Sequence, residues 1–507
     1  MQKLRQSYRP WKDGEKIEAA FFFQAGTVWA SMETVYKSCI EDMRFHVRLI
    51  LMEETTVETS HMTGAREFLE KKGLEYVRFD EADLEQNYPH VVFIQFPYDA
   101  AFHTPQTLSV QFRNRGARVV YIPYGLEISD TEIARKDHFQ NYVIENSWRI
   151  YTCCEGIRRE YWKYCRNRHA VRVCGSPKFD GVFRKEQFPL DEGIVKAAKG
   201  RRIVVWKLHF PKKIMEHGNI RQITPELEEY LNFARQIAQY RDFFFVLLAH
   251  PKMLGKVVES DIQGDESLTE KTRELIAALE EQEHVWIDRT EDYRNSLYHG
   301  DAIMMDRSGV IAEAAMTGAP VLFMKNGEYS ERMTSPVQNV ADSLYAGKSC
   351  LDMKKFMEQL RAGKDEKKEL RARAVAENFP FLDGLCGERI KENIAEGLRE
   401  RRKEKLDVIL YGTGEICRYY MEQQRWGEQK KFRIIKIADT SEEKWESDFY
   451  GYKIAPPEEI LEADFDAIVI MTEPHYFEIK KKLVYEMYLD ERKIWRLDEF
   501  IWELSQS

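Results

Sequence analysis

Several stretches of this sequence bring together side chains that handle phosphate and protons. Asp306-Arg307-Ser308-Gly309 sets a carboxylate, a guanidinium, a hydroxyl and a glycine in one turn, with Glu313 shortly after. The turn follows an apolar run of strand length, Ala302 to Met305, and precedes a helix of small residues, Val310 to Met316, that Gly318 stops. Ser308 stands where a helix N-cap is expected. Ligands of open α/β sheets sit at the carboxyl ends of strands, and a helix start there favours phosphate. A β-α-β unit without a ligand has the same pattern. His209 and His250 close the apolar runs Ile203–Leu208 and Asp242–Leu248, the second through Ala249. An imidazole there contacts phosphate, carries a proton, or is simply structural. Gly175-Ser176-Pro177-Lys178-Phe179-Asp180 is a tight turn followed by a cation and a carboxylate. It reads either as a plain domain-crossing loop or as a ligand-contacting hinge with Lys178 facing phosphate.

The elements that must position these residues alternate between strand and helix from Ile17 onward, which predicts parallel sheets with helices on both faces. Turns after the early strands are polar and aromatic, with Gln24 and Trp29, then Gln95, Tyr98 and Asp99, then Tyr124 and Gly125. They predict a cleft edge, with Asp99, His103 and Tyr124 as candidates on its acceptor side. His103 reads as a base or as a solvated loop group. The charged stretch Lys196 to Arg202 separates the first sheet from a second of similar size, so the pair describes a GT-B architecture. Leu351 to Lys403 predicts charged amphipathic helices that cross back to the first domain. At Leu406 a third unit begins, with Gly412-Thr413-Gly414 after a strand and Asp439 after the next, near the spacing of a dinucleotide site's ribose-binding acid. The third glycine of that fingerprint is absent, and no catalytic Tyr-x-x-x-Lys follows. The expected fold class is α/β: a GT-B-like pair of doubly wound parallel-sheet domains, 1–185 and 186–403, plus a small C-terminal Rossmann-like domain, 404–507.

Composition limits the partners. The chain has 507 residues, 76 basic and 85 acidic, for a net charge of −9, which argues against nucleic acid. No apolar run reaches membrane-spanning length, and the basic start MQKLRQSYRPWKDGEK has no apolar core behind it, so no signal peptide is expected. The eight cysteines lack paired zinc-type spacing and read as structural thiols, so no metal site is expected. A cytoplasmic protein is expected, with Arg399 to Lys405 offering basic residues for peripheral contact with the inner face of the membrane.

Asp306-Arg307-Ser308-Gly309-Val310, Glu313 and Ala319-Pro320-Val321-Leu322-Phe323 together resemble the signature of the CDP-glycerol glycerophosphotransferase family, which makes teichoic-acid-type polymers. GSPKFD, VVWKLHF and LLAHP resemble three further landmarks of that family in the same order, and Asp292-Tyr293 with Leu297 resembles a fourth. The resemblance implies that Ser308 and nearby backbone N–H groups hold the donor's pyrophosphate and that Glu313 accepts hydrogen bonds from ribose hydroxyls. It also implies that His250 meets phosphate or the leaving group and that Asp306 shapes the loop. Arg307 and Gly309 replace a Tyr and a Ser of the family's pattern, and Tyr124-Gly125 stands where the family has its His-Gly base. His209, His250, Asp99 and His103 remain as candidates for that base. The third unit resembles small Rossmann-like domains attached to sugar-nucleotide and surface-glycan enzymes.

The implied activity is transfer of glycerol phosphate, or a related polyol phosphate or sugar, from a CDP-type donor to a glycan or lipid-linked acceptor. No cofactor is required, and NAD is not expected. The alternatives are a glycosyltransferase using another nucleotide sugar and a catalytically degenerate nucleotide-binding scaffold. Oligomeric state is not legible in the sequence.

Overall fold

A computed structural model describes residues 8–52, 64–216, 218–254, 266–290, 292–399 and 405–505. The first sheet contains β1 (Ile17–Phe23), β2 (Phe45–Leu51), β3 (Val77–Arg78), β4 (Val91–Ile94), β5 (Arg118–Tyr121), β6 (Arg149–Thr152) and β7 (Val171–Val173). These strands are parallel, in the order β3-β2-β1-β4-β5-β6-β7. The strand expected over LEYVRFD shortens to β3 at the sheet edge, because the chain turns into a 3₁₀ helix at Phe79–Glu81.

The second sheet follows the same plan. It starts with β8 (Arg202–Leu208), followed by a hairpin of β9 (Lys213–Glu216) and β10 (Asn219–Gln222). Next come β11 (Phe243–Ala249), β12 (Val285–Ile287), β13 (Ala302–Met305), β14 (Val321–Met324) and β15 (Tyr345–Gly347), in the order β12-β11-β8-β13-β14-β15. Every residue of β11, FFFVLLA, is buried, as a central parallel strand with helices on both faces requires. Strand order reverses between β1 and β4 and again between β8 and β13, so crevices open at the carboxyl ends of both pairs. The third unit holds β16 (Leu406–Tyr411), β17 (Phe432–Ala438), β18 (Asp448–Phe449), β19 (Tyr452–Ala455), β20 (Ala467–Ile470) and β21 (Ile494–Arg496). Its sheet is parallel except for β18, which runs antiparallel to β19.

One apolar core joins the first two sheets, running from Ala20 and Phe22 through Phe179 and Phe188 to Val205 and Ile303. The third sheet is covered by two clusters drawn only from its own residues. The helix Cys386–Arg399 returns to the first sheet and buries Ile390, Ile394 and Leu398 in its core. Asp180 fixes that return. Its carboxylate accepts from the backbone N–H groups of Cys386 (2.9 Å) and Gly387 (3.0 Å) and from Thr34 Oγ1 (2.7 Å). A Cβ on Gly387 would come within 2.4 Å of the Thr34 backbone, so only glycine lets the two helices approach this closely.

A second clasp is ionic. The buried Arg294 of the second domain pairs with Asp292 (2.7 Å) and with Glu33 of the first domain (2.6 Å), over the ring of Phe188. Lys72 of the first domain also reaches Asp292 (2.7 Å). Burial would raise both carboxyls, but Arg294 and the lysines beside them hold Glu33 below its usual range and Asp292 at about 2. Folded-state values below the unfolded ones mean that the stabilisation is present at neutral pH. It is lost as pH falls from about 4, the unfolded carboxylate value, toward the folded ones. Arg294→Met leaves Glu33 and Asp292 with only the half-exposed Lys37 and Lys72 as partners and is expected to cost ~3 kcal/mol in thermal or denaturant unfolding. The difference from wild type should shrink when unfolding is followed below pH 3.

Candidate functional site

The carboxyl ends of the first two sheets face each other across a narrow cleft. The loop after β5 supplies Gly125, Leu126 and Glu127, the crossing segment supplies Ser176, Lys178 and Phe179, and the second domain supplies Gly309 and Glu313. Gly309 lies against Gly125 and Leu126, with its Cβ position 3.6 Å from Gly125 Cα, so the two loops meet where neither carries bulk.

Glu313 is fully buried on the cleft wall. Its Oε1 accepts from Tyr293 Oη (2.6 Å) and Tyr298 Oη (3.3 Å). Burial and the neighbouring carboxylate push both phenols well above their usual pKa, so they remain donors. Oε2 lies 3.2 Å from Lys178 Nζ and has no hydrogen bond. Lys178, expected to face phosphate, is therefore paired with the residue expected to meet ribose. Gly175, at φ +86°, packs against Cys386 Sγ and Phe381, where a Cβ would clash at 2.4 Å.

Asp306 ends β13 at the strand reversal, with no exposed surface. It accepts from the backbone N–H of His209 (2.8 Å) and from Tyr230 Oη (3.1 Å), tying the loops after β8 and β13 together. Burial raises its carboxyl, and the partners only partly offset this. His209 Nδ1 faces the Phe210 carbonyl (2.7 Å), which leaves Nε2 as the acceptor nitrogen of the neutral ring. Burial and the charges of Arg307, Lys212 and Lys207 hold that ring well below the usual histidine pKa. The ring of His250 lies 5.0 Å away at a 48° tilt, and its Nδ1 accepts the Lys252 backbone N–H (3.2 Å). Cations gather here: Lys212 is lowered by burial, by Arg307 and by Lys252, and Lys207 is lowered to about 8 by burial and, secondarily, by Lys178. Such mutual repulsion is relieved by an anion.

One expectation needs correction at this loop. Ser308 is not the N-cap. The helix begins at Ile311, Val310 holds the cap position without a side-chain bond, and Ser308 Oγ receives only a long contact from Val310 N–H (3.5 Å). Two residues of turn are needed to carry the chain past Gly125 before the helix can start. Arg307 does not stand alone in the site. It donates to Glu331 (2.7 Å) and to Ser129 Oγ (2.6 Å), and Ser129 in turn bonds Glu331. The adjoining backbones pair between Thr334 N–H and Ile128 O and between Asp130 N–H and Arg332 O, both 2.8 Å. This closes one end of the cleft.

On the first-domain side, His103 is buried. Nδ1 meets Asp99 Oδ1 (3.0 Å) and Nε2 meets Gln24 Oε1 (3.2 Å), while Asp99 also accepts from the Ser109 N–H (3.0 Å). Both ring nitrogens are thus engaged within the protein. Tyr124 Oη bonds Tyr98 Oη (3.0 Å) beside Phe96. Sequence reasoning missed Glu127. Its carboxyl, buried on the cleft wall, accepts from Tyr161 Oη (2.8 Å), and burial pushes it up to about 7. Its one sequence signal was its place in the turn that also holds Gly125.

In the third unit, Gly412 (φ +100°) starts the turn into the helix Glu415–Glu422. Asp439 Oδ2 accepts from Thr413 N–H (2.8 Å) and Lys444 Nζ (2.9 Å), and Oδ1 accepts from Ser441 N–H (2.9 Å). That carboxylate braces its own loop. Gly414 faces open space.

Residues 404–495 match a family described as C2185-like, N-terminal. No curated protein matches the chain in sequence. A Listeria monocytogenes protein assigned as a UDP-N-acetylglucosamine 2-epimerase superposes with a TM-score of 0.53 at 15% identity, over 76% of this chain and 98% of that one. Another UDP-N-acetylglucosamine 2-epimerase gives 0.52 at 14%, over 77% and 98%. S. aureus MnaA in its UDP co-structure gives 0.50 at 14%, over 76% and 97%. The first two domains have a GT-B fold. Likeness at this identity extends to architecture, so the narrower resemblance to glycerophosphotransferases rests on the sequence motifs.

In this GT-B cleft the Lys178–Glu313 pair is tested by a double-mutant cycle. Lys178→Met alone leaves a buried carboxylate and is expected to cost ~3 kcal/mol or more in unfolding free energy. With Glu313→Gln also present the loss should be much smaller, giving a coupling of ~1–3 kcal/mol.

Proposed function

We propose that the chain is a GT-B transferase that holds a nucleotide-linked donor in the second domain. It would pass glycerol phosphate, or a related polyol phosphate or sugar, from a CDP-type donor to a glycan or lipid-linked acceptor. The observation that carries this reading is Glu313: a buried carboxylate on the cleft wall whose Oε2 is held only by the ion pair with Lys178, so that a ribose hydroxyl would take the lysine's place on it. Lys207, Lys212 and Lys252, with His209 and His250, offer the diphosphate a cationic bed at the strand reversal. Asp306 holds that bed in shape. Catalysis would come from positioning and from stabilising charge on the phosphate oxygen of the departing nucleotide, a monophosphate when glycerol phosphate moves and a diphosphate when a sugar moves, with no cofactor required. No described helix is long and apolar enough to cross a membrane. The basic run proposed for membrane contact lies largely outside the described residues, at 400–404.

A UDP-linked sugar is the second reading, supported by the UDP bound to S. aureus MnaA, which shares the fold. The two readings separate in a thermal-shift titration with CDP and UDP. At one hundred times its Kd a nucleotide adds ~2.7 kcal/mol to stability. The preferred nucleotide should raise the melting temperature by a few degrees, and its 2′,3′-dideoxy form should do so less. Glu313→Gln should abolish the difference between the two forms. If the third unit were the nucleotide site, Gly414→Val, which the open space around Gly414 lets the fold accept, would remove the shift. The proposal expects the shift to persist.

A further inference from the structure

We infer that Glu127 is the group that receives the acceptor's hydroxyl proton during transfer, an inference that rests on the donor reading above. Glu127 follows β5 and lines the cleft together with Lys178 from the crossing segment and Glu313 from the second domain. The loop is the one where the motif resemblance placed a His-Gly base and where the sequence has Tyr124-Gly125. Tyr124 itself is turned to Tyr98. The carboxyl is faced by Tyr121 from β5, by Cys153 and Cys154 from the turn after β6, and by Tyr161 from the helix Glu155–Tyr164. Of these, Tyr161 donates to its Oε1.

The other candidates fit less well. Asp99 and His103 are engaged with each other and with Ser109 and Gln24. His209 is surrounded by Arg307, Lys212 and Lys207, whose charges oppose its taking a proton. Glu127, raised to about 7 by burial, is poised near the pH at which a carboxylate both accepts and returns a proton.

The acceptor is thereby assigned to the class of polyols and sugars that present a free hydroxyl from the first-domain side. Its oxygen forms a bond to the donor's phosphorus or sugar carbon. The bond from that atom to the nucleotide's phosphate oxygen breaks, and the electron pair stays on that oxygen, facing the cation bed. The hydroxyl proton passes to Glu127.

The test compares wild type, Glu127→Gln and Tyr161→Phe for binding of CDP and UDP by thermal shift. Nucleotide release is then followed from CDP-glycerol and from UDP-N-acetylglucosamine between pH 5.5 and 9, with glycerol as acceptor. The expected result is unchanged nucleotide binding in Glu127→Gln with release slowed about 10²–10⁴-fold. Wild type should show an acid limb near neutrality. In Tyr161→Phe that limb should move to higher pH, because the carboxylate has lost a donor; a merely structural Glu127 would not move it. Release by Glu127→Gln within threefold of wild type, or an acid limb unmoved in Tyr161→Phe, overturns the inference. Binding of nucleotide by wild type without turnover of either donor also overturns it and leaves the donor site standing. A melting temperature unmoved by both nucleotides overturns the donor reading itself.

Discussion

The cleft depends on one carboxylate. Asp180 sits in the segment that leaves the first domain, yet it caps the helix that comes back to it, and it also holds Thr34. A helix N-terminus carries unsatisfied N–H groups and partial positive charge, so a buried carboxylate there is stabilised twice. The outgoing and returning chains are thus joined at a single point behind the cleft. Arg294 with Glu33 and Asp292 makes a second joint. Arg307, Ser129 and Glu331 make a third on the far side of the loops. Two sheets held at three places keep their strand ends facing each other at a fixed spacing.

Within that frame the electrostatics divide the site into two halves. The second-domain half is cationic and crowded: burial and mutual repulsion lower Lys207, Lys212 and His209 together. The first-domain half contributes a buried acid, Glu127, raised by the same burial. Glu313 and Lys178 lie between them as an ion pair with one oxygen left without a hydrogen bond. Low dielectric makes each of these groups expensive to leave unpaired and strong when a ligand of opposite character arrives. A diphosphate on one side and a hydroxyl on the other would satisfy both halves.

Much of the fold was legible in the residues. Continuous apolar runs such as Phe243–Ala249 read as central strands because a parallel strand covered on both faces admits no alternation. The regular exchange of strand and helix predicted the two doubly wound sheets and the third unit. What misled was local. Ser308 has the right chemistry for a cap, but the contact of Gly309 with Gly125 delays the helix to Ile311. The partners of Arg307, Ser129 and Glu331, stand 178 and 24 residues away, so its neighbours in sequence do not show them. Glu127 drew no notice because a lone Glu in a turn is ordinarily solvated, and only the helix Glu155–Tyr164 packed over it buries it.

Periodicity and turn chemistry are local properties, so the sequence alone determined the alternating elements of the three large sheets and where their strands end. It placed Asp306, His209 and His250 just after β13, β8 and β11. Pairing across domains is not local. Only the folded chain decided that Lys178 faces Glu313, that Asp180 caps a distant helix, that His103 is engaged with Asp99 and Gln24, and that Glu127 looks into the cleft. Apart from the contact of His103 with Asp99 four residues away, each of these depends on burial and on a partner 79 to 206 residues away, or on a neighbouring helix, and spacing in sequence carries no record of either.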